Sequence, residues 1–262
     1  GGNVRTLCRA AALLDSRDCL GIDINMGCCA PAILRQNAGA AWLCSPDAAA
    51  GLVAALRPLV KKRLSVKLRI GETSDFEYLV QFCRRLESEG IERITLHGRT
   101  TREKFRGASR WDYVEALKAC MGIEVAGNGD ISSAAGLAAR SAHSACDALM
   151  LGRLAVKEPW IFGRCRSEAV PEIPAVPEIP AMAAARGAFL QETALRFLDY
   201  LARYQPPEFH AGRARRFFHY FVDNLKWAHY LRTCINREKT LAGMERVLRG
   251  HFSYMEERGD DP

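Results

Sequence analysis

A short apolar segment that ends in polar or glycine-rich residues recurs five times along this 262-residue chain. The five predicted strands span residues 21–25, 65–70, 92–96, 123–127 and 147–151. Patterns typical of helices lie between successive strands, and this alternation predicts a parallel sheet in an α/β fold. The layout is typical of a TIM-type (β/α)8 barrel, in which the active site lies at the carboxyl ends of the strands.

The number of strands is too small for a complete barrel. A closed barrel of this type has eight strands, whereas five are visible here, and the chain begins with a helical pattern at residues 3–15. Either the barrel is built differently, or the first three βα units are missing from the sequence. We favour the second explanation, because an open five-stranded sheet would leave both of its edges unpaired.

A repeated hexad separates two regions of different composition. The sequence Val-Pro-Glu-Ile-Pro-Ala occurs twice in succession over residues 170–181, and prolines at this density exclude a helix or a central strand. We therefore predict a catalytic partial barrel over residues 1–169, a stiff extended linker over 170–181 and a small all-helical domain over 182–262. The predicted helices of that domain span 182–204, 210–224, 225–236 and 239–255.

Composition excludes several classes of protein. Hydrophobic residues make up 48% of the chain, yet no apolar run approaches the length of a membrane span. The ten cysteines are scattered without a C-x-x-C pair, so their spacing predicts no metal site. No charged and apolar leader opens the chain. We expect a reduced, monomeric protein of the cytoplasm without membrane or metal partners.

Positive charge is concentrated toward the C-terminal end. The formal net charge is +7, and residues 203–249 carry ten Lys or Arg against four Asp or Glu. A basic helical surface beside a catalytic domain favours a polyanionic partner such as RNA. An ordinary solvated helix face would have the same composition, so charge alone leaves both interpretations open.

The most distinctive turn follows the first predicted strand. The residues Asp-Ile-Asn-Met-Gly-Cys-Cys-Ala-Pro occupy positions 23–31, so Cys28 stands where the strand gives way to a loop. A thiol at such a place is available for acid or nucleophilic chemistry, since a thiol with an ordinary pKa of about 8.5 is mostly protonated at neutral pH. A buried thiol that only fills space is the alternative interpretation.

Five motifs occur in chain order: DINMGC with a nearby Ala-Pro, VKLRIG, LHGRT followed by Arg-Gly, GNGDI, and LMLGR followed by PWIF. Together they resemble the motifs of the tRNA-dihydrouridine synthase family. The resemblance implies a flavoprotein whose barrel binds FMN, whose helical domain helps to hold tRNA, and which reduces the C5–C6 double bond of uridines with NADPH as reductant. Two alternatives stay open: an FMN barrel that reduces a small molecule, and a truncated homologue that binds RNA without catalysis.

The resemblance also implies roles for individual residues. Hydride transfer from the flavin to C6 of uracil leaves carbanion character at C5, and Cys28 matches the family cysteine that protonates this carbon. Lys67 matches a lysine that contacts the flavin ring and stabilises negative charge on it. His97 matches a histidine that contacts the flavin. Cys29 stands where the family usually has proline, which removes a stiffening residue from the turn.

Glycine-rich loops follow the last two predicted strands. Such loops are typical of a phosphate site, because glycines let backbone N–H groups approach an anion. The predicted cofactor-binding residues there are Asn128, Gly129, Asp130, Gly152 and Arg153. The predicted contacts to uracil or to the tRNA backbone are Asn25, Arg69, Arg99, Arg213, Arg215 and Arg216. We expect the neighbouring aromatic residues in the core of the helical domain: Phe217, Phe218, Tyr220 and Phe221.

Overall fold

The structure, a computed structural model, describes residues 2–164 and 183–259. The predicted proline-rich linker, residues 170–181, lies outside the described residues. Contacts divide the chain into two units, Gly1–Gly152 and Arg153–Pro262. None of the helices that the structure describes is both long enough and apolar enough to cross a membrane.

Parallel strands form the sheet of the first unit. They are β1 (Gly21–Met26), β2 (Arg63–Arg69), β3 (Arg93–His97), β4 (Glu124–Asn128) and β5 (Ala148–Met150). Their order in the sheet follows their order in the chain, so each strand pairs with the next. The predicted α/β fold with a parallel sheet is therefore confirmed, and the strand ends lie within two residues of the prediction.

Helices connect these strands. They are α1 (Val4–Asp15), α2 (Pro31–Leu34), α3 (Pro46–Leu56), α4 (Phe76–Ser88), α5 (Trp111–Cys120) and α6 (Ala134–His143). The side chains of Asn3, Asp75 and Ser133 each accept a hydrogen bond from a backbone N–H in the first turn of α1, α4 and α6. Pro46 begins α3, where its missing N–H has no partner to lose. These local signals place the helices where the sequence pattern predicts them.

The two faces of the sheet differ in chemistry, because side chains alternate along each strand. One face carries buried apolar residues that belong to the core shared with the helices: Ile24, Met26, Leu64, Val66, Leu68, Ile94, Leu96 and Val125. The other face carries polar residues: Asp23, Asn25, Ser65, Lys67, Arg69, Arg93, Thr95, His97, Glu124 and Asn128. Parallel sheets usually bury apolar side chains on both faces, so this polar face concentrates hydrogen-bonding groups on one surface.

The sheet is open across the part of the chain that the structure describes. Strand β1 pairs only with β2, and β5 pairs only with β4. The described strands therefore form an open sheet with the five strands that the sequence predicts, and they do not close into a barrel. The observed architecture is a five-stranded parallel α/β sheet followed by a helical region.

The second unit contains helices alone within its described residues. They are α7 (Arg153–Lys157), α8 (Ile161–Arg164), α9 (Ala183–Tyr204), α10 (Pro207–Phe221), α11 (Ala228–Arg237) and α12 (Leu241–Glu257). Phe217, Phe218 and Phe221 lie in its core, as predicted, whereas Tyr220 is half-buried.

Several boundaries in this unit differ from the prediction: α10 ends at Phe221 rather than at residue 224, α11 begins at Ala228 rather than at residue 225, and both ends of α12 lie two residues later than predicted. The unit begins at Arg153 rather than after residue 169, because the Trp160 ring packs against Phe189 at 5.4 Å and against Phe221 at 6.4 Å. Helix α10 begins at Pro207 rather than at residue 210, because proline fits the first position of a helix.

Candidate active site at the strand ends

Predicted site residues from neighbouring strands meet at one edge of the sheet. Asn25 on β1 is in register with Lys67 on β2. Arg69 is in register with His97, which is in register in turn with Asn128. All five side chains lie on the polar face near the carboxyl ends of their strands. Strand register therefore assembles the site, and the loops after β1, β3 and β4 complete it.

The turn after β1 is fixed around Cys28. The Oδ1 atom of Asn25 accepts hydrogen bonds from the backbone N–H groups of Gly27 and Cys28, both at 3.0 Å. The backbone N–H of Ala40 donates to the carbonyl oxygen of Cys28 at 2.9 Å. Gly39 has a φ of +62°, and a Cβ there would lie 2.4 Å from that carbonyl oxygen. A rigid turn thus presents the thiol.

The side chain of Asn25 stabilises the turn after β1 and also lies in the site. We predicted that its side chain contacts uracil or the tRNA backbone. Its oxygen is already occupied by two backbone N–H groups, and the structure describes no partner for its Nδ2 group. The amide N–H donors are therefore the part of Asn25 that remains for a ligand.

The two adjacent cysteines have different surroundings. Cys29 packs against the apolar core of the first unit. Cys28 is half-buried and lies outside that core. These surroundings favour Cys28 as the thiol that meets a ligand, and its chemical role stays a prediction.

Arg69 ties the turn after β1 to the loop after β3. Its side chain is buried, and its Nε donates to the carbonyl oxygen of Gly27 at 3.0 Å. One terminal nitrogen donates to the carbonyl oxygens of Thr100 at 3.2 Å and Lys104 at 2.7 Å. The Phe105 ring lies 5.5 Å from the guanidinium carbon. Arg69 therefore positions two loops through their backbone, and its contact to the substrate stays a prediction.

An ion pair with a buried arginine joins the loops after β3 and β4. A terminal nitrogen of Arg99 donates to both carboxylate oxygens of Asp130, at 2.7 and 2.8 Å, and Arg99 is 2% exposed. The same carboxylate accepts a hydrogen bond from the backbone N–H of Ser109 at 2.7 Å. We predicted Arg99 at the substrate and Asp130 at a phosphate. The structure directs these side chains at each other, because the carboxylate of Asp130 compensates the buried charge of Arg99. Their contacts to a ligand stay predictions.

His97 is neutral and is held in one tautomer. Its Nε2 atom lies 3.2 Å from a terminal nitrogen of Arg99. Because a guanidinium only donates, Nε2 is the acceptor and Nδ1 carries the proton. Burial first, and then the neighbouring cations Arg69 and Lys67, lower the pKa of His97 to about 3. The ring is therefore a neutral hydrogen-bond donor through Nδ1.

Lys67 carries an ammonium group on the polar face of the sheet. Burial, together with the nearby charge of Arg69, lowers the pKa of Lys67 from 10.5 to about 8. Within residues 2–164 and 183–259, its Nζ atom has neither a hydrogen-bond acceptor nor an ion-pair partner. The group is still charged at neutral pH, and it is available to stabilise negative charge on a ligand.

The loop after β4 is packed rather than open. Asn128 donates from its side chain to the carbonyl oxygen of Met150 at 2.7 Å, which links the ends of β4 and β5. Gly129 has a φ of +128°, and a Cβ there would lie 2.3 Å from Oγ of Ser109. The absence of a side chain at Gly129 thus makes room for Ser109. We had expected glycine at this position because it lets a phosphate approach the backbone.

The loop after β5 is more open. A Cβ added to Gly152 would meet no described atom within 4 Å. Arg153 is exposed and is the first residue of α7. Of the two predicted phosphate loops, this one leaves its glycine backbone open to an anion.

The three arginines predicted to meet RNA have different surroundings on α10. Arg213 and Arg216 are exposed, and the described residues include no ion-pair partner for either. The guanidinium of Arg213 lies 5.4 Å from the centre of the Phe209 ring. Arg215 is half-buried and donates to the carbonyl oxygen of Glu238 at 2.7 Å, at the end of α11. Arg213 and Arg216 therefore remain as candidate phosphate contacts, and Arg215 has a structural role.

Sequence reasoning missed the residues that stiffen the loop after β3. Glu103 accepts hydrogen bonds from the guanidinium of Arg110 at 2.6 Å and from the backbone N–H of Thr100 at 2.8 Å. These bonds lower the pKa of Glu103 to about 2, so the carboxylate stays charged. Opposite charges seven residues apart are the sequence signal, but such pairs are too common on protein surfaces to single out a site.

The chain is similar to known proteins over much of its length. The sequence model of the family described as dihydrouridine synthase matches residues 1–250. The chain is similar to tRNA-dihydrouridine synthase B of Proteus vulgaris, with 34% identity over 158 residues, or 58% of this chain and 49% of that protein. It is also similar to a probable tRNA-dihydrouridine synthase of Rhizobium leguminosarum bv. phaseoli, with 33% identity over 150 residues, or 57% and 47% of the two chains. The chain thus spans about half the length of the curated relatives it matches.

We predict that His97 makes the protein less stable in acid. Its folded-state pKa of about 3 lies below the ordinary unfolded value of about 6.5, so the unfolded state binds a proton first as the pH falls. The contribution of neutral His97 to the free energy of unfolding is fully present above about pH 6.5. It is lost progressively below that pH, so the free energy of unfolding falls by about 2 kcal/mol at pH 5. Urea unfolding at pH 7 and at pH 5 measures this loss.

The matched control for this prediction is His97→Gln, which keeps a polar side chain that does not titrate. We expect the variant to lose less unfolding free energy than the wild type between pH 7 and pH 5. The other buried histidine, His251, is present in both proteins, so its contribution cancels. An equal loss in the two proteins would contradict the prediction.

Proposed function

We propose that this chain, which belongs to the dihydrouridine synthase family, forms part of a cytoplasmic enzyme that reduces the C5–C6 double bond of uridines in tRNA with FMN and NADPH. Membership of the family confirms the resemblance predicted from the five motifs. The observation that carries the proposed reaction is the juxtaposition of the Cys28 turn, the Lys67 ammonium group and the neutral His97 ring at one sheet edge.

The polar face of the sheet fits a flavin ring. Lys67 offers an ammonium group without a described partner, and His97 offers an N–H donor from Nδ1. Bound FMN would supply the hydride that C6 of uracil receives, with NADPH as its reductant. Lys67 would stabilise negative charge on the ring, and His97 would help to orient it. For the phosphate group, we propose the open backbone at Gly152 and the side chain of Arg153.

We assign the proton donor to the thiol of Cys28. The acceptor is C5 of uracil, which has carbanion character once C6 has received a hydride. Hydrogen bonds at both ends of the turn fix the thiol relative to the strand ends, and Arg69 adds a third bond through the carbonyl oxygen of Gly27. A donor fixed in this way has little motion to lose when it reacts. The Nδ2 group of Asn25 would donate to a carbonyl oxygen of the uracil.

The helical unit is the proposed contact for tRNA phosphates. Arg213 and Arg216 are exposed on α10 without a described ion-pair partner. An arginine whose charge is not already compensated can replace the counterions of a phosphate, which is the main source of affinity for nucleic acids. Arg215 lies outside this proposal, because it is half-buried and its guanidinium donates to the backbone carbonyl oxygen of Glu238.

Cys28→Ala should keep flavin and tRNA binding but lose most uridine reduction, since a general acid typically contributes about 10²–10⁴-fold to the rate. Dihydrouridine formation in an unmodified tRNA transcript measures the loss in single-turnover experiments with reduced enzyme.

Cys29→Ala is the matched control, because it removes a neighbouring thiol that packs against the core instead. We expect this variant to keep most of the rate. A large loss with Cys29→Ala and a small loss with Cys28→Ala would show that the other thiol is the acid.

Replacing Arg213 and Arg216 together by Ala should weaken tRNA binding and make it less sensitive to salt. Each lost phosphate contact removes about 0.9 from the slope of log affinity against log salt concentration on duplex nucleic acid. Filter binding at several salt concentrations measures this slope. Arg215→Ala is the control and should destabilise the helical unit with little change in slope. An unchanged slope in the double variant would contradict the proposed contact.

A further inference from the structure

One tryptophan of the helical unit differs from the other three in its exposure. Trp42, Trp111 and Trp160 are no more than 8% exposed, whereas Trp227 is 48% exposed. Trp227 directly precedes α11 and does not belong to the apolar core of its unit. A large apolar ring is unfavourable in water, and exposed rings of this kind often mark an interaction site. The residues around Trp227 indicate what kind of ligand it contacts.

The backbone at Trp227 is in the left-handed region, with φ 52° and ψ 36°. Bulky residues rarely adopt this conformation, which glycine and asparagine reach more easily. Leu225 and Leu231, on either side, are both buried. The left-handed residue therefore turns the indole outward between two residues that face the core. Strain of this kind at an exposed aromatic residue suggests a binding role.

Residues of α12 support the indole. The Trp227 ring lies 5.4 Å from the Tyr254 ring, tilted by 50°, and 6.4 Å from the His251 ring, at 87°. Arg258 donates to the Tyr254 hydroxyl at 3.0 Å, and its guanidinium lies 5.5 Å from the centre of that ring. We term Trp227, Tyr254 and Arg258 the aromatic platform. Its two rings and its cation present one partly exposed surface.

The charge around the aromatic platform favours a polyanion over an apolar protein surface. Arg258 belongs to the platform itself, and the exposed Lys226 precedes Trp227 in the chain. Residues 203–249 carry ten Lys or Arg against four Asp or Glu. Exposed aromatic rings among cations are the arrangement by which proteins bind single-stranded nucleic acids, since the bases stack on the rings while the phosphates meet the cations.

We propose that the aromatic platform stacks an unpaired nucleobase of bound tRNA, with Trp227 as the main stacking surface. This inference rests on the proposed function, because it takes the substrate to be tRNA. It adds a contact of a different physical kind from the phosphate contacts of Arg213 and Arg216. Stacking depends on the face of a base and releases no counterions, so it gives affinity that salt screens little.

Trp227→Ala should weaken the binding of an unmodified tRNA transcript by roughly 5- to 150-fold, the effect of losing one stacked base. The slope of log affinity against log salt concentration should stay at the wild-type value, in contrast to the arginine double variant. Trp227→Phe keeps an aromatic ring and should retain most of the affinity. Trp227→Gly suits the left-handed backbone, so it removes the ring in a protein that folds, and it should bind as weakly as Trp227→Ala.

Tryptophan fluorescence gives a readout that is independent of catalysis. The emission of Trp227 is the difference between the wild type and the Trp227→Phe variant. Bound transcript should quench this emission and should protect Trp227 from quenching by acrylamide. If Trp227→Ala and Trp227→Gly both bind the transcript with wild-type affinity, and the transcript does not quench Trp227 emission in the wild type, the stacking proposal is wrong. The proposed function is then unaffected, because the protein still binds tRNA. A wild-type protein that does not bind the transcript would overturn the proposed function, and the platform with it.

Discussion

Two buried guanidinium groups determine the geometry of the strand-end site. Arg69 holds the turn that carries Cys28 against the loop after β3, through hydrogen bonds to three carbonyl oxygens. Arg99 joins that loop to the loop after β4 through Asp130, and it also selects the tautomer of His97. Removing Arg69 would take one hydrogen bond from each of three carbonyl oxygens, and removing Arg99 would take the guanidinium partner from Asp130. Losing one partner of such a contact costs more than the contact itself contributes. The thiol and the imidazole are therefore placed by side chains that need not touch a ligand.

The same arginines create the electrostatic character of the site. Burial is the largest cause of the lowered pKa values of Lys67, about 8, and His97, about 3, and the charge of Arg69 lowers both further. The charge of Arg99 also lowers the pKa of His97. Lys67 stays charged at neutral pH and His97 does not, so the polar face offers one ammonium group and one neutral N–H donor. Asp130 compensates part of the positive charge, and an electron-rich ligand ring would compensate more.

The alternation of apolar segments with helical patterns was enough to predict the strands, because each strand buries one face against helices whatever the site does. The polar residues that end the strands marked the site edge, since parallel strands align their carboxyl ends. The roles of the arginines could not be predicted in the same way. Arg69 at a strand end has the same sequence pattern whether it faces a ligand or three carbonyl oxygens, and only the folded loops decide between them. The left-handed backbone at Trp227 is equally hidden, because no residue type in that turn signals it.

Titration of the flavin-free protein with FMN, followed by quenching of flavin fluorescence, tests most directly whether the polar face is a flavin site. We predict saturable binding that weakens as the pH rises through about 8, where Lys67 loses its proton. Lys67→Arg should move that decline to higher pH, because a guanidinium keeps its charge. Lys67→Met should weaken binding already at pH 7. An FMN affinity that is constant through pH 8, and that is the same in Lys67→Met as in the wild type, would contradict a flavin site on the polar face.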